Sequence, residues 1–233
     1  MTSFLFLGIL LGLRHALEAD HLAAVAALAT RHRGIGRTAL QGAAWGAGHG
    51  VVLLAVGGVC LLFRLAVPEQ AARLLEAGVG VMLIALGWGV LRRVVRRRVH
   101  VHLHRHDDGT VHLHAHRHAA EEAHDPERHR HVHAERLPWR AVGVGMLHGL
   151  AGSAALLLLV ASTLASPGVG LLYIACFGIG AVLGMAALSA AISLPLRHTA
   201  GLLGGAHNTL ETLVGLGALG IGVWVVYAAA GPL

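Results

Sequence analysis

Five ionisable side chains fall within eight consecutive positions: Arg14, His15, Glu18, Asp20 and His21. They lie inside an apolar run over residues 4–29, long enough to cross a bilayer. Ionisable groups at that depth cost several kcal/mol each, are rare and mark functional sites by default. Imidazole with carboxylate is the ligand set of a borderline divalent ion such as nickel, cobalt or zinc. Read this way, His15, Glu18, Asp20 and His21 bind a metal ion. The plainer reading is that they hydrogen-bond between helices and hold the packing together.

At about 100° per residue, Glu18 sits roughly 60° from His15, whereas Asp20 and His21 diverge by about 140° and 120° on opposite sides. A straight helix cannot aim all four at one ion. Either some of them sit behind the ligands or the helix is distorted, and a π or 3₁₀ distortion is predicted between residues 16 and 21.

Two further histidines sit at matching depth. His49 lies within Gly46-Ala47-Gly48-His49-Gly50, and His148 within Met146-Leu147-His148-Gly149, so small neighbours let other helices approach both. Both join the predicted metal site, with Ser153 as a hydroxyl donor. His207 and Glu211, spaced i, i+4, read as an entry or exit site or as an interfacial hydrogen-bonded pair.

A second histidine concentration is polar. His100, His102, His104 and His106 alternate with other residues, as do His112, His114, His116 and His118, and Asp107-Asp108-Gly109 lies between the two runs. Period two puts each run's histidines on one face of a strand. A three-residue loop with Gly109 left-handed pairs His104 with His112 and His102 with His114. The expectation is a metal-stapled hairpin over 99–118, or else a disordered tract; flexible His-rich tracts also capture transition metals. Glu121, Glu122, His124, Asp125, His129, His131 and His133 extend the supply.

The elements that must position these groups are transmembrane helices. Of 233 residues, 55% are hydrophobic and 13% charged, against about 25% charged in a soluble domain; mean hydropathy is +0.66. Apolar runs cover residues 4–29, 38–65, 72–91, 139–165, 169–194 and 209–230, the fifth ended by Pro195. Ser166-Pro167-Gly168 reads as a tight turn, and 197–208 as an amphipathic or re-entrant entry to the last span. The fold class is an all-α polytopic membrane protein of six transmembrane helices. A three-helix repeat over 1–91 and another over 139–233 flank a His-rich cytoplasmic loop, 92–138.

The net charge of +6 comes from arginine, since all 18 basic residues are Arg. Arg31, Arg33, Arg37, Arg197 and the arginines of 92–138 fall on one set of flanks, and only Arg64 and Arg73 on the other. Positive flanks stay cytoplasmic. This places both termini outside and the His-rich loop in the cytoplasm of a cell (inner) membrane, and the charge reports orientation rather than nucleic-acid binding.

The halves resemble each other. Gly12-Leu13-Arg14-His15 matches Gly145-Met146-Leu147-His148; Trp45-Gly46-Ala47-Gly48 matches Phe177-Gly178-Ile179-Gly180; Glu76-Ala77-Gly78-Val79-Gly80 matches Glu211-Thr212-Leu213-Val214-Gly215. Ser153 then corresponds to Asp20. Three spans is an odd number, so the second half is inverted, and inverted repeats set the substrate site near the midplane where the halves meet.

His15, Asp20 and His21 in the order His-x4-Asp-His, with Gly48-His49-Gly50-Val51-Val52 on the next span, resemble the NicO superfamily of nickel/cobalt transporters. The resemblance covers most of the chain and implies that His15, Asp20, His21 and His49 take part in metal selection. Glu18 stands where that family often has Asp, and Gly145–Ser153 replaces the Asp-Thr-rich motifs of the eight-helix permeases. Six spans and a His-rich loop are closer to the smaller branch of efflux-type and urease-accessory-type members.

The reading is a non-enzymatic carrier of Ni²⁺ or Co²⁺, with Zn²⁺ a further substrate; its partners are metal ions and the lipid bilayer. No Walker-type phosphate loop is present. Two other readings stand beside it: an intramembrane thiol electron carrier using Cys60 and Cys176, and a membrane-anchored metal sensor or storage protein.

Overall fold

The computed structural model describes residues 2–30, 34–65, 67–98, 100–105, 111–116, 138–150, 163, 166–202 and 204–231. Among these are seven helices and one two-stranded sheet: α1 (Thr2–His15), α2 (Ala19–Ala29), α3 (Ile35–Phe63), α4 (Glu69–Arg98), β1 (His100–Arg105), β2 (Val111–His116), α5 (Trp139–Gly149), α6 (Pro167–Leu202) and α7 (Gly204–Ala229). Four of them hold segments long and apolar enough to cross a membrane, Ile35–Phe63, Glu69–Arg96, Pro167–Leu196 and Ala206–Ala229; α1 and α2 are shorter apolar helices. Phe6, Val51, Trp88, Leu183 and Trp224 all point outward from the bundle. An apolar perimeter of this kind suits lipid rather than water.

The first apolar run is two helices rather than one. After His15 the α-helical ladder gives way to i→i+3 bonds, Leu17 N–H to the Arg14 carbonyl (2.9 Å) and Glu18 N–H to that of His15 (3.1 Å). Glu18 is then extended (φ −63°, ψ 148°) and precedes the first residue of α2. The break falls inside the interval where the ligand directions demanded one.

Pro195 does not end the fifth run. It lies within α6, which continues to Leu202. Proline removes one backbone donor, the N–H that would reach the Ala191 carbonyl four residues back, and packing on neighbouring helices can carry a membrane helix through such a gap. α6 packs along both α1 and α3, while Ser193 Oγ donates to the Ala190 carbonyl (2.6 Å) and Thr199 Oγ1 to that of Pro195 (2.9 Å), one on each side of the gap. The segment 197–208 is accordingly helical on both sides of residue 203 instead of forming a separate entry. Ser166 caps α6: its carbonyl accepts from Gly170 N–H (3.1 Å) and its Oγ from Val169 N–H (3.3 Å), and Pro167 takes the first helical position, where its missing N–H costs nothing. Of the fourth run, 139–150 is described, and Ser153 lies outside the described residues.

Helices pack in a mirrored pattern. α3 packs on α6 and α4 on α7, while α1 meets α6 and α5 meets α3. Glycine makes the closest approaches. A Cβ on Gly12 would collide with the Phe177 carbonyl, and one on Gly145 with the Trp45 carbonyl; Gly180 sits likewise on Ile9 and Gly48 on Val142. On the other helix pair Gly80 abuts Gly222, and Gly87 abuts Gly215. The buried core, with Trp45, Leu83, Ala181 and Met185 at its heart, lies among these contacts.

β1 pairs antiparallel with β2, in the register His100 with His116, His102 with His114 and His104 with His112. The loop between the strands, with His106, and the segment from residue 117 to 137, with His118, lie outside the described residues.

Candidate metal centre

The break after His15 brings the two ends of the first motif together. His15 closes α1 and His21 lies in the first turn of α2, with ring centroids 4.2 Å apart. From α3, His49 reaches both, at 5.0 Å from His15 and 5.4 Å from His21. From α5, His148 reaches His21 at 4.0 Å. All four imidazoles are buried, His49 completely.

The carboxylates sit behind the rings. Glu18 Oε1 lies 3.0 Å from His15 Nδ1. Asp20 Oδ1 accepts from the backbone N–H and from Nδ1 of His21 (2.8 and 3.0 Å), while Oδ2 accepts from His148 Nε2 (2.9 Å). An ionised carboxylate only accepts, so these ring nitrogens carry the protons. Asp20 also lies in the first turn of α2, where the helix dipole favours negative charge.

The opposite nitrogens are thereby left as lone pairs. His15 Nε2, His21 Nε2, His148 Nδ1 and both nitrogens of His49 are buried without a hydrogen-bond partner. An unmet buried polar group costs about 1–3 kcal/mol. Neutral His49 has one lone pair, so four lone pairs gather in one cluster, an arrangement that a cation resolves. One set of ligand atoms, from His15, His21 and His49, lies mutually within 4.8 Å, as does a second from Asp20, His21 and His148. Carboxylate behind histidine is how proteins orient metal-ligating imidazoles and raise their basicity.

Sequence reasoning missed two walls of this cage. Trp45 stacks on His21 (5.5 Å, 25°) and meets His148 edge-on, and Phe177 lies 5.2 Å from His15. Trp45 is one helical turn before His49, a spacing that marks the same face of α3. His207 and Glu211 are not part of the cluster. His207 Nε2 lies 3.4 Å from Glu211 Oε1, and His207 Nδ1 is 3.3 Å from Thr199 Oγ1. Cys60 and Cys176 are free thiols on α3 and α6.

Fold and site together define a multi-span membrane protein with a buried histidine–carboxylate cluster. The family model described as NicO, high-affinity nickel-transport protein, matches residues 1–227. The urease accessory protein UreH of Bacillus sp. (strain TB-90) is 30% identical over 228 residues, which cover 97% of this chain and 92% of that relative. No solved structure matches the chain. The chain belongs to the NicO family; it is a metal-transport protein rather than an enzyme.

Proposed function

We propose that the protein carries nickel and/or cobalt, with zinc a further substrate, through His15, His21 and His49, a site near the membrane midplane. The observation that carries this reading is the division of nitrogens. Glu18 and Asp20 hold the Nδ1 atoms of His15 and His21, the Nε2 atoms are buried without a partner, and ligand atoms of these two rings and of His49 lie mutually within 4.8 Å. Glu18 and Asp20 orient ligands, and His148 is Asp20's second partner and an alternative ligand. Three neutral imidazoles with carboxylates behind them suit a borderline ion and suit Mg²⁺ or Ca²⁺ poorly.

The six-span, 3+3 inverted arrangement belongs to the same proposal. Its support is the mirrored packing. The contact of Gly12 with Phe177 maps under the repeat onto that of Gly145 with Trp45, and Gly80 with Gly222 maps onto Gly215 with Gly87. The arginine distribution supports cytoplasmic placement of the His-rich loop in the cell membrane and external placement of both termini. The loop captures ions on the cytoplasmic side. The UreH relative's name, a urease accessory protein, favours uptake over export.

The test is transport of radioactive nickel into vesicles of known sidedness, with cobalt and zinc as competitors. Wild-type transport by both His21→Ala and His49→Ala chains that reach the membrane would remove the site.

A further inference from the structure

Asp20 and His148 form part of the wall of a half-open cavity of ≈ 340 Å³, whose other lining residues include Glu18, Glu76, Val79 and Trp224. Three of its lining residues carry carboxylates, and none is Arg; His148 is engaged with Asp20. Six waters occupy about 180 Å³ at roughly 30 Å³ each, so a divalent ion fits there with its hydration shell. It can then shed water on reaching Asp20. A cleft of one charge sign with low-dielectric walls raises the local concentration of counter-ions.

Glu76 belongs to the second turn of α4, at the end where Arg73 donates to the Gly231 carbonyl (2.8 Å). Its repeat counterpart is Glu211 on α7. Because Gly80 abuts Gly222 and Gly87 abuts Gly215, α4 and α7 run antiparallel, and Glu211 lies level with about residue 91 of α4. The two glutamates are then on the order of 22 Å apart along the helix pair, at 1.5 Å per residue. Their environments differ. Glu76 lines the cavity, whereas Glu211 is 1% exposed and faces His207. Repeat-equivalent residues in unlike surroundings are what an inverted repeat produces when one side of the site is open and the other closed.

We propose that Glu76 is the steering residue of the open mouth, drawing the divalent cation between the medium and the buried histidines, and that the described conformation is open on the Glu76 side and closed on the Glu211 side. The proposal rests on the reading of His15, His21 and His49 as the transport site. Glu76 acts on the approach of the ion and makes no part of the equilibrium site.

The experiment uses the full-length chain, its histidines between 99 and 133 replaced by glutamine for the binding measurements so that the buried site alone is read, with nickel ion alone as probe. In detergent, Glu76→Gln binds nickel at equilibrium within about twofold of wild type. In proteoliposomes its initial transport rate at sub-saturating nickel falls on the order of tenfold, and Glu76→Asp restores most of it. Salt slows the wild type and leaves Glu76→Gln nearly unaffected, since steering by exposed charge is screened. Wild-type transport by Glu76→Gln overturns the proposal. So does an equilibrium binding loss as large as that of His49→Ala, which would put Glu76 in the site itself. Normal nickel binding by His49→Ala overturns the transport-site reading instead, and the Glu76 result does not bear on that outcome. Should Glu76→Gln fail to reach the membrane, Ala228→Cys on the cavity wall, in a Cys60→Ser, Cys176→Ser chain, supplies a second arm. A positively charged thiol adduct there slows transport more than a negatively charged adduct of the same size; equal effects overturn the proposal.

Discussion

Asp20 Oδ2 lies 2.9 Å from His148 Nε2 across 128 positions of chain. One carboxylate thus joins the first motif to the second half of the protein. Its other oxygen stays on His21, so one contact between the halves also orients a ring of the proposed site.

Removing a ligand should cost more than removing its support. His49 makes no hydrogen bond through either nitrogen, so His49→Ala loses volume and a ligand but breaks no polar network. We expect the chain to fold and its nickel affinity to fall by at least the ~10–100-fold typical of changes behind a ligand. Equilibrium dialysis against radioactive nickel, on purified protein lacking the histidines between 99 and 133, measures this.

The two carboxylates should differ in weight. Glu18 is half exposed and touches one ring, whereas Asp20 is less exposed and holds two. Glu18→Gln should weaken nickel binding about tenfold and Asp20→Asn nearer a hundredfold, the two ends of the range for such partners. The same dialysis series reads both. Equal effects would mean that the bond to His148 adds nothing.

Glycine substitutions test the mirrored packing. Gly12→Ala and Gly145→Ala each drive a methyl group into a facing carbonyl, whereas a Cβ at Gly143 meets nothing within 4 Å. Each of the first two should destabilise by about 1–3 kcal/mol, the usual cost of overpacking, and Gly143→Ala should be close to neutral. Thermal unfolding in detergent, followed by tryptophan fluorescence, reports all three.

The His-rich loop should give a pH signature of its own. Imidazole coordinates only when neutral, and its unperturbed pKa is about 6.5. Protonation therefore removes capture as pH falls through that value and leaves it intact above. Nickel binding by the isolated 99–133 peptide should weaken below about pH 6. Deleting 99–133 from the full chain should raise the nickel concentration needed for half-maximal transport while keeping the maximal rate.

What could be read from the chain follows from what is costly in lipid. His15, Asp20, His21 and His49 stood out because ionisable groups are rare in apolar runs, and the break after His15 followed from the angles between them. The partition of roles was not legible. Spacing cannot say that Glu18 would lie behind His15, or that Asp20 would take Nδ1 of one ring and Nε2 of another, because rotamers and the arrival of α5 decide those. Pro195 misled for a local reason. Proline often ends helices in water, but packing against α1 and α3 carries α6 through it here. Trp45 went unnoticed because a tryptophan among glycines reads as packing until its ring is found against His21.

The glycine seams bear on the segment that joins the halves. With Gly12, Gly48, Gly145 and Gly180 letting backbones touch directly, each half is gripped by the faces of the other, helix on helix. A polypeptide nicked between α4 and α5 should reassemble from two separately made pieces. A tether changed in length or histidine content would leave these glycine seams as they are.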